Sequence, residues 1–361
     1  MGFEILERIP GIPLTSSCPG VILRTGVMKS SEKNSFWEHC RQKAASHLRR
    51  VLLVESEDPR VLSAAQIVHR RSIAHPLLVG NVDRVSAEAS RIGLDLKGIE
   101  CVDPATDPRT ERLGRDLFEK RKGKGLTEEQ AHILVQDPLF FGVMALHGNF
   151  ADGLVAGAVR TTSETVRAGF WGLGLAPHVE IAFGAMVMDC PFSGGHSRTL
   201  LFADCAVSPH PSPRALAAVG IAAAELFEKL VGGPARVAFL SFSTLGSAAD
   251  DSVVATRHAV ELVRKKAPTL LVDGELQADA ALVDVIARQK GVGHSLVAGR
   301  ANVLVFPDLN AGNTGYKLVQ HLGGARAVGP LLVGLAKPMS DLSRGCTDED
   351  IVDAVALTAL L

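Results

Sequence analysis

Aromatic residues, net charge and long apolar runs are all scarce in this chain. Aromatics make up 5% of its 361 residues, so a core has to be packed from Ala, Val, Leu and Ile. Lys and Arg number 38 against 39 Asp and Glu, a formal net charge of −1. That excludes a protein held to nucleic acid by a general basic field, and any anionic ligand must be met by local arginines. No apolar stretch reaches membrane-spanning length, and the N-terminus has no apolar signal segment, so a soluble, cytoplasmic protein without a membrane partner is expected. The six cysteines (Cys18, Cys40, Cys101, Cys190, Cys205 and Cys346) form no CxxC pair and no metal-like His/Cys spacing. Reduced thiols are expected rather than a disulfide framework, and no metal. Also missing are GxxxxGK[ST], a GxGxxG after a strand, a GxSxG elbow and HExxH. The P-loop, dinucleotide, serine-hydrolase and zinc-protease readings are thereby left without support.

What is present is Gly, 35 residues of it, with 47% hydrophobic and 21% charged residues, a composition suited to an α/β protein with many strand-to-helix turns. The length exceeds what one core usually fills, so two domains are expected. Residues 1–34, broken by Pro10, Gly11, Pro13, Pro19 and Gly20, read as a flexible extension. From Phe36 onward short apolar runs alternate with amphipathic stretches. Strands are expected at Val51–Val54, Leu77–Val79, Gly153–Ala156, Thr199–Ala203, Val237–Leu240, Leu270–Val272 and Val303–Phe306, each a continuous apolar run of the kind covered on both faces. Helices are expected at Pro59–Arg71, Asp107–Arg121, Pro213–Leu230, Ser252–Lys266, Leu276–Arg288 and Asn313–Leu322. The order is βαβ, so the sheets should be parallel or mostly parallel.

In open α/β sheets ligands sit beyond the carboxyl ends of strands, and Asp204, Ser241, Asp273 and Asp308 end four of these runs. Taken singly, each is better read as a helix cap or turn residue. The segment Gly157–Arg167 follows a strand and carries Thr161, Thr162, Ser163 and Thr165 ahead of a helix. Hydroxyls and free amides at a helix N-terminus favour an anion, although Thr162 or Ser163 could simply cap that helix. Pro307–Lys317 is another polar, Gly-rich turn into a helix and holds the chain's one tyrosine, Tyr316, with Asn313 and Lys317. The densest segment is Asp341-Leu-Ser-Arg-Gly-Cys-Thr-Asp-Glu-Asp350, which combines a hydroxyl (Ser343), a guanidinium (Arg344) and an acid (Asp350) before the last apolar helix. Thr347 and Asp350 also have capping-box spacing.

These segments together resemble the phosphate acetyltransferase family. The resemblance runs from about Phe36 to Leu361 and rests on Glu57–Val61, Asp152–Gly157 with Thr165–Arg167, Phe202–Ala206, Ser241–Ser247, Asp273–Gln277, Phe306–Lys317 and Asp341–Cys346. It implies reversible acetyl transfer between acetyl phosphate and coenzyme A, by direct thiolate attack in a ternary complex, with coenzyme A a substrate and no cofactor. It also implies two α/β domains of the isocitrate/isopropylmalate dehydrogenase-like superfamily, residues 35–177 plus 333–361 and residues 178–332, with the active site in the cleft between them, and a homodimer. On matching motifs, Ser343, Arg344 and Asp350 fall in the catalytic segment, and Arg121 and Arg167 match substrate-binding arginines. Thr162, Ser163, Asn313, Tyr316 and Lys317 are expected to line the substrate site.

A thiol near pKa 8.5 and an aspartate near 3.9 differ by about 4.6 units, roughly 6 kcal/mol against complete proton transfer. Asp350 can serve as the base only if its surroundings raise its proton affinity or a cation favours the thiolate. The alternatives are a butyryl or other acyl preference, a non-catalytic acetyl-CoA-sensing module, and a dehydrogenase on the similar fold. The dehydrogenase would need metal-binding aspartates and a nicotinamide site, for which there is no signal.

Overall fold

Eleven strands form one sheet in the computed structural model, which describes residues 35–192 and 196–361. The expectation for residues 1–34 lies outside the described residues. In chain order the elements of the first half are α1 (Ser35–Ala45), β1 (Arg50–Leu53), α2 (Pro59–Arg70), β2 (His75–Val79), α3 (Val82–Arg91), β3 (Glu100–Val102), α4 (Thr110–Arg121), α5 (Glu128–Leu134), α6 (Pro138–His147), β4 (Gly153–Ala156) and α7 (Thr162–Gly172). There follow β5 (Phe183–Pro191), β6 (Ser197–Ala203), α8 (Pro213–Leu230), β7 (Arg236–Leu240), α9 (Asp251–Lys266), β8 (Leu271–Leu276), α10 (Ala278–Leu282), α11 (Asp284–Gln289), β9 (Val303–Val305), α12 (Leu309–His321), β10 (Arg326–Val333), β11 (Met339–Asp341) and α13 (Asp348–Leu360).

The strand order is β3-β2-β1-β4-β11-β10-β5-β6-β9-β7-β8. Pairing is parallel except at the centre, where β10 pairs antiparallel with β11 and β5, and β5 with β6. The mostly parallel expectation therefore holds. The ladder between β11 and β10 is a single pair, Leu331 with Ser340, so the sheet has a thin seam there.

Side chains along a strand alternate between faces, and both faces are buried. Val51 and Leu53 of β1 join a core with α1, α2, α8, α9 and α13, while Leu52 joins the opposite core with α4 to α7. In β7, Val237 and Phe239 face the first of these cores, and Ala238 and Leu240 join a third built with α10 and α12. The apolar C-terminal helix α13 crosses back to pack on α1 and α2. That return brings the Asp341–Asp350 segment to the carboxyl ends of β1 and β4.

One expected helix needs correcting, and four strands were not foreseen. The stretch Leu276–Arg288 is not one helix: β8 continues through Leu276, and Val283, extended at φ −121°, separates α10 from α11. Neither β5 nor β10 was foreseen, because Gly184, Gly329 and Pro330 punctuate them. A register shift between Val328 and Leu331 absorbs Gly329 and Pro330 inside β10, as bulges commonly do. The three-residue strands β3 and β11 are too short to show a pattern.

Candidate active site

The end of β4 and the start of α7 were expected to offer backbone amides to an anion. Glu55, just past the end of β1, takes four of them instead: its carboxylate accepts from the amides of Gly157 (3.0 Å), Ala158 (2.7 Å), Val159 (3.2 Å) and Arg160 (2.7 Å). Glu55 sits at φ 63°, a left-handed conformation whose cost these four bonds offset. Helix α7 is capped by Thr161 rather than Thr162 or Ser163, in a reciprocal box with Glu164. The first-turn amides left over belong to Thr162 and Ser163, and both residues line a cleft of about 590 Å3. Substituting Glu55→Ala should cost about 2 kcal/mol in urea unfolding, because it frees a strained turn and four amides together.

Arg167, Thr162, Ser163, Asn313 and Tyr316 share this cleft with Cys205, Ala206 and Pro330. Asn313 is fixed by its amide, which donates to the Cys205 carbonyl at 3.0 Å. Tyr316, 7% exposed, belongs both to the cleft and to a narrow recess that holds Ser343, Cys346 and Asp350. Burial, then the neighbouring Cys205 and Asp341, push its phenol up to about 12, so it acts as a neutral hydrogen-bonding group. Arg121 lies outside the cleft lining, but its guanidinium carbon is 4.6 Å from the Trp171 ring centre, and that of Arg167 is 5.9 Å from the same ring. Its Nε is buried with no partner among the described residues. Lys317 is exposed, turned over the Tyr316 ring at 5.7 Å, and does not line the cleft.

Among the described residues, neither Arg121, Arg167 nor Arg344 has a carboxylate within ion-pair distance, whereas Arg41, Arg60, Arg109, Arg160 and Arg326 are all paired. In a chain of almost zero net charge, an unpaired guanidinium lining a cleft, that of Arg167, with Arg121 over the same Trp171 ring, is what an anionic substrate requires.

The Ser343–Cys346 segment is a tight turn, closed by the Cys346 amide on the Ser343 carbonyl at 2.9 Å. Ser343, Arg344 and Gly345 are exposed. Arg60 of α2 holds the turn from below: Nη1 donates to the Arg344 carbonyl (2.8 Å) and the Cys346 carbonyl (3.0 Å), and Nη2 to the Ala158 carbonyl (2.8 Å) and Asp58 (2.8 Å). One side chain thus ties the Arg344 turn to the loop before α7. Asp350 forms the capping box with Thr347: Oδ2 accepts from the Thr347 amide (3.0 Å) and hydroxyl (2.8 Å), and Oδ1 lies 3.3 Å from Arg326 Nε.

The strand-end residues Asp204, Ser241, Asp273 and Asp308 do not line the cleft. Asp204 gathers the amides of Gly184, Ala206, Val207 and Ser208, and Asp308 caps α12. Asp273 pairs with Arg264 inside β8, which runs past it, and Ser241 accepts from the Ser243 amide. They shape the rim rather than face a ligand. Sequence reasoning passed over Glu55, Arg60 and Asp341. The signal for Arg60 was there: Asp58-Pro59 is a cap followed by Pro at the first helical position, which places the next residue at a strand's carboxyl end.

The five cysteines of the described residues are free, and burial raises each thiol: Cys40 to about 12, Cys101, Cys190 and Cys346 to about 11, and Cys205 well above the usual value. None is an activated thiolate, which argues against a cysteine acyl-enzyme.

With this geometry in view, the profile of the Phosphate acetyl/butaryl transferase family matches residues 35–359. The chain belongs to that family. Among the relatives it resembles, a phosphate acetyltransferase from Clostridium acetobutylicum is 45% identical over 329 residues, 90% of this chain and 97% of that protein. One from Thermoanaerobacterium thermosaccharolyticum is 43% identical over 88% of this chain and 97% of its own length. In structure, the chain resembles a phosphotransacetylase from Streptococcus pyogenes with a TM-score of 0.83 and 34% identity, over 91% of this chain and 98% of that one. The family's fold is shared more distantly with a 4-hydroxythreonine-4-phosphate dehydrogenase-like protein from Salmonella typhimurium (TM-score 0.51, 12% identity, 87% of this chain and 99% of that one).

Proposed function

We propose that the chain is a phosphate acetyltransferase, an acyltransferase that moves an acetyl group reversibly between acetyl phosphate and coenzyme A. The observation that carries the reaction is the 45% identity to a phosphate acetyltransferase across 90% of the chain; the geometry supports it. Arg167, Arg344 and Arg121 would hold the phosphoryl oxygens, Arg121 through a buried donor that the described protein leaves unpartnered. Thr162 and Ser163 would add hydroxyls and helix-start amides. Ser343 would donate to the acetyl carbonyl oxygen as it gains charge. Asn313 and Tyr316 would line the path of the thiol. Lys317 does not itself line the cleft and meets it only through the Tyr316 ring, so it is given no binding role in this reading.

Asp350, which the family resemblance makes a candidate base, has Oδ2 engaged by Thr347 and Oδ1 beside Arg326. To accept the thiol proton it would have to turn from these donors. Its part in this reading is to fix the start of α13 and the turn ahead of it.

The same proposal takes residues 35–177 plus 333–361 and 178–332 as two domains meeting at the Leu331–Ser340 seam, in a cytoplasmic homodimer. Leu318 and Leu322, exposed one helical turn apart at the end of α12, are apolar surface that a second copy could cover. Sedimentation of the purified protein checks the dimer. Phosphate-dependent release of coenzyme A from acetyl-CoA, beside butyryl-CoA, checks the reaction. The expected result is at least about tenfold higher kcat/KM for acetyl-CoA, as two methylenes in a fitted pocket discriminate by about that much or more. Equal or reversed preference would make this an acyltransferase of another chain length.

A further inference from the structure

Trp171 follows Arg167 by one helical turn on α7 and shares its face. The ring is held from behind by Phe140 of α6, which it meets edge-on with ring centres 6.0 Å apart. The next residue, Gly172, lets α7 press against α6, since a Cβ there would strike Val143. The guanidinium carbon of Arg121, from the end of α4, lies 4.6 Å from the Trp171 ring centre, and that of Arg167 5.9 Å. One indole therefore receives two arginines from two helices.

Other arginines of the chain are fixed differently. Arg60, Arg109 and Arg160 are held by Asp58, Asp107 and Asp137, and such a pair orients a guanidinium and cancels its charge at once. Among the described residues neither Arg121 nor Arg167 has a carboxylate at that distance. Glu164, one turn before Arg167, is taken by the Thr161 amide (2.9 Å) and hydroxyl (2.7 Å). An aromatic face attracts a guanidinium through its quadrupole and gives it a flat surface to stack on, but it brings no net charge. Two like charges gathered at one ring also repel, and an anion placed between them removes that cost. The pair is thus restrained without being neutralised.

We infer that Trp171 is a positioning residue for the anionic substrate, its ring holding Arg121 beside Arg167 at the cleft while leaving both charges free for phosphoryl oxygens. This rests on the acetyltransferase reading above and adds to it the element that holds its arginine pair. Trp171 does not line the cleft itself, so it acts through the two arginines. The phosphoryl oxygens belong either to acetyl phosphate or to coenzyme A, which share that chemistry, and the KM for each substrate tells them apart.

The test is steady-state kinetics of wild type, Trp171→Phe, Trp171→Leu and Trp171→Glu with each substrate varied in turn, beside their melting temperatures. Trp171→Leu keeps apolar bulk without a π face, and should raise KM for the substrate that the pair holds about tenfold with kcat within about twofold. Trp171→Phe, which restores a ring, should stay within about threefold of wild type. Trp171→Glu would hold the arginines but neutralise them, and should raise KM at least as far as Trp171→Leu. Equal losses in the Phe and Leu variants, or a Glu variant that binds as wild type does, overturn the inference. So does a fall in kcat and melting temperature at unchanged KM, which is what plain packing against Phe140 would give. Fluorescence supplies a readout that needs no turnover. The sequence has two tryptophans, and the buried Trp37, whose indole N–H has no partner among the described residues, is replaced by Phe so that Trp171 reports alone. Titration with inorganic phosphate and with coenzyme A should shift or quench its emission with one of them, and the change should vanish in the Arg121→Ala, Arg167→Ala double variant. Emission blind to both probes overturns the inference. A protein that answers a probe in this way yet transfers no acetyl group would leave the inference standing and remove the proposed function instead.

Discussion

Arg344→Ala loses about a thousandfold in kcat/KM for acetyl phosphate and leaves the melting temperature within about a degree of wild type. Both halves of that expectation come from where the guanidinium stands. It is exposed on a four-residue turn, with no carboxylate at ion-pair distance among the described residues, so nothing in the folded protein depends on it. Its backbone, by contrast, is fixed: Arg60 holds the Arg344 and Cys346 carbonyls, and the turn closes on Ser343. A charged, forked donor on an immobile support can meet developing phosphate charge without reorganising, and removal of one such donor costs two to three powers of ten. Arg344→Lys keeps the charge and loses the fork, and should recover only part of the rate. A large drop in melting temperature for the Ala variant would mean that the side chain is structural. Near-wild-type kcat/KM would mean that the phosphoryl group is held elsewhere.

The parts of this molecule that could be read from its sequence are those governed by local pattern. A strand covered on both faces needs an unbroken apolar run and a half-buried helix an amphipathic one behind its cap, so strand Gly153–Ala156 and helix Pro213–Leu230 stand where expected to the residue. The central antiparallel pair β5 and β10 was hidden by glycine and proline, whose ordinary meaning is a turn and which only a partner strand can reinterpret. The candidate residues on contiguous motifs were legible too: Thr162, Ser163, Arg167, Asn313 and Tyr316 line one cleft. What could not be read was which groups satisfy which. The amides of Gly157–Arg160 looked available until Glu55, 102 to 105 residues away, was found to accept from all four. Burial of Asp341 depends on α7, α12 and β1 closing over it at once. A capping box at Thr347–Asp350 was visible, but not the arrival of Arg326 on the same carboxylate. Local patterns predict elements, whereas the use to which a polar group is put is decided by contacts far away in the chain.

Arg60 is the extreme case of such a contact, since it reaches carbonyls 284 and 286 residues further along and another 98 residues away. Arg60→Ala is expected to cost about 3 kcal/mol in unfolding free energy and more than about 100-fold in kcat/KM. The stability loss follows from three carbonyls and the half-buried Asp58 losing one guanidinium partner, the range seen when one member of a buried pair is removed. Burial works to raise the Asp58 carboxyl, but its hydrogen bonds to Arg60 and to backbone amides outweigh that and hold it below the usual 3.8. The Asp58–Arg60 share of stability is therefore present above that pH and lost as pH falls below it, and the variant's deficit should narrow on acidification. The rate loss has a different origin. Without Arg60 the Arg344 turn and the loop before α7 are no longer referred to one another, and a displacement of about 1 Å between groups that act on one phosphoryl is enough for a hundredfold. Arg60→Lys, whose single ammonium cannot reach both loops and Asp58 together, should recover stability better than rate. The decisive measurement is the double variant: if Arg60 works by placing Arg344, then Arg344→Ala must cost much less in the Arg60→Ala background than in wild type. Additive losses would show that the two arginines serve the reaction separately.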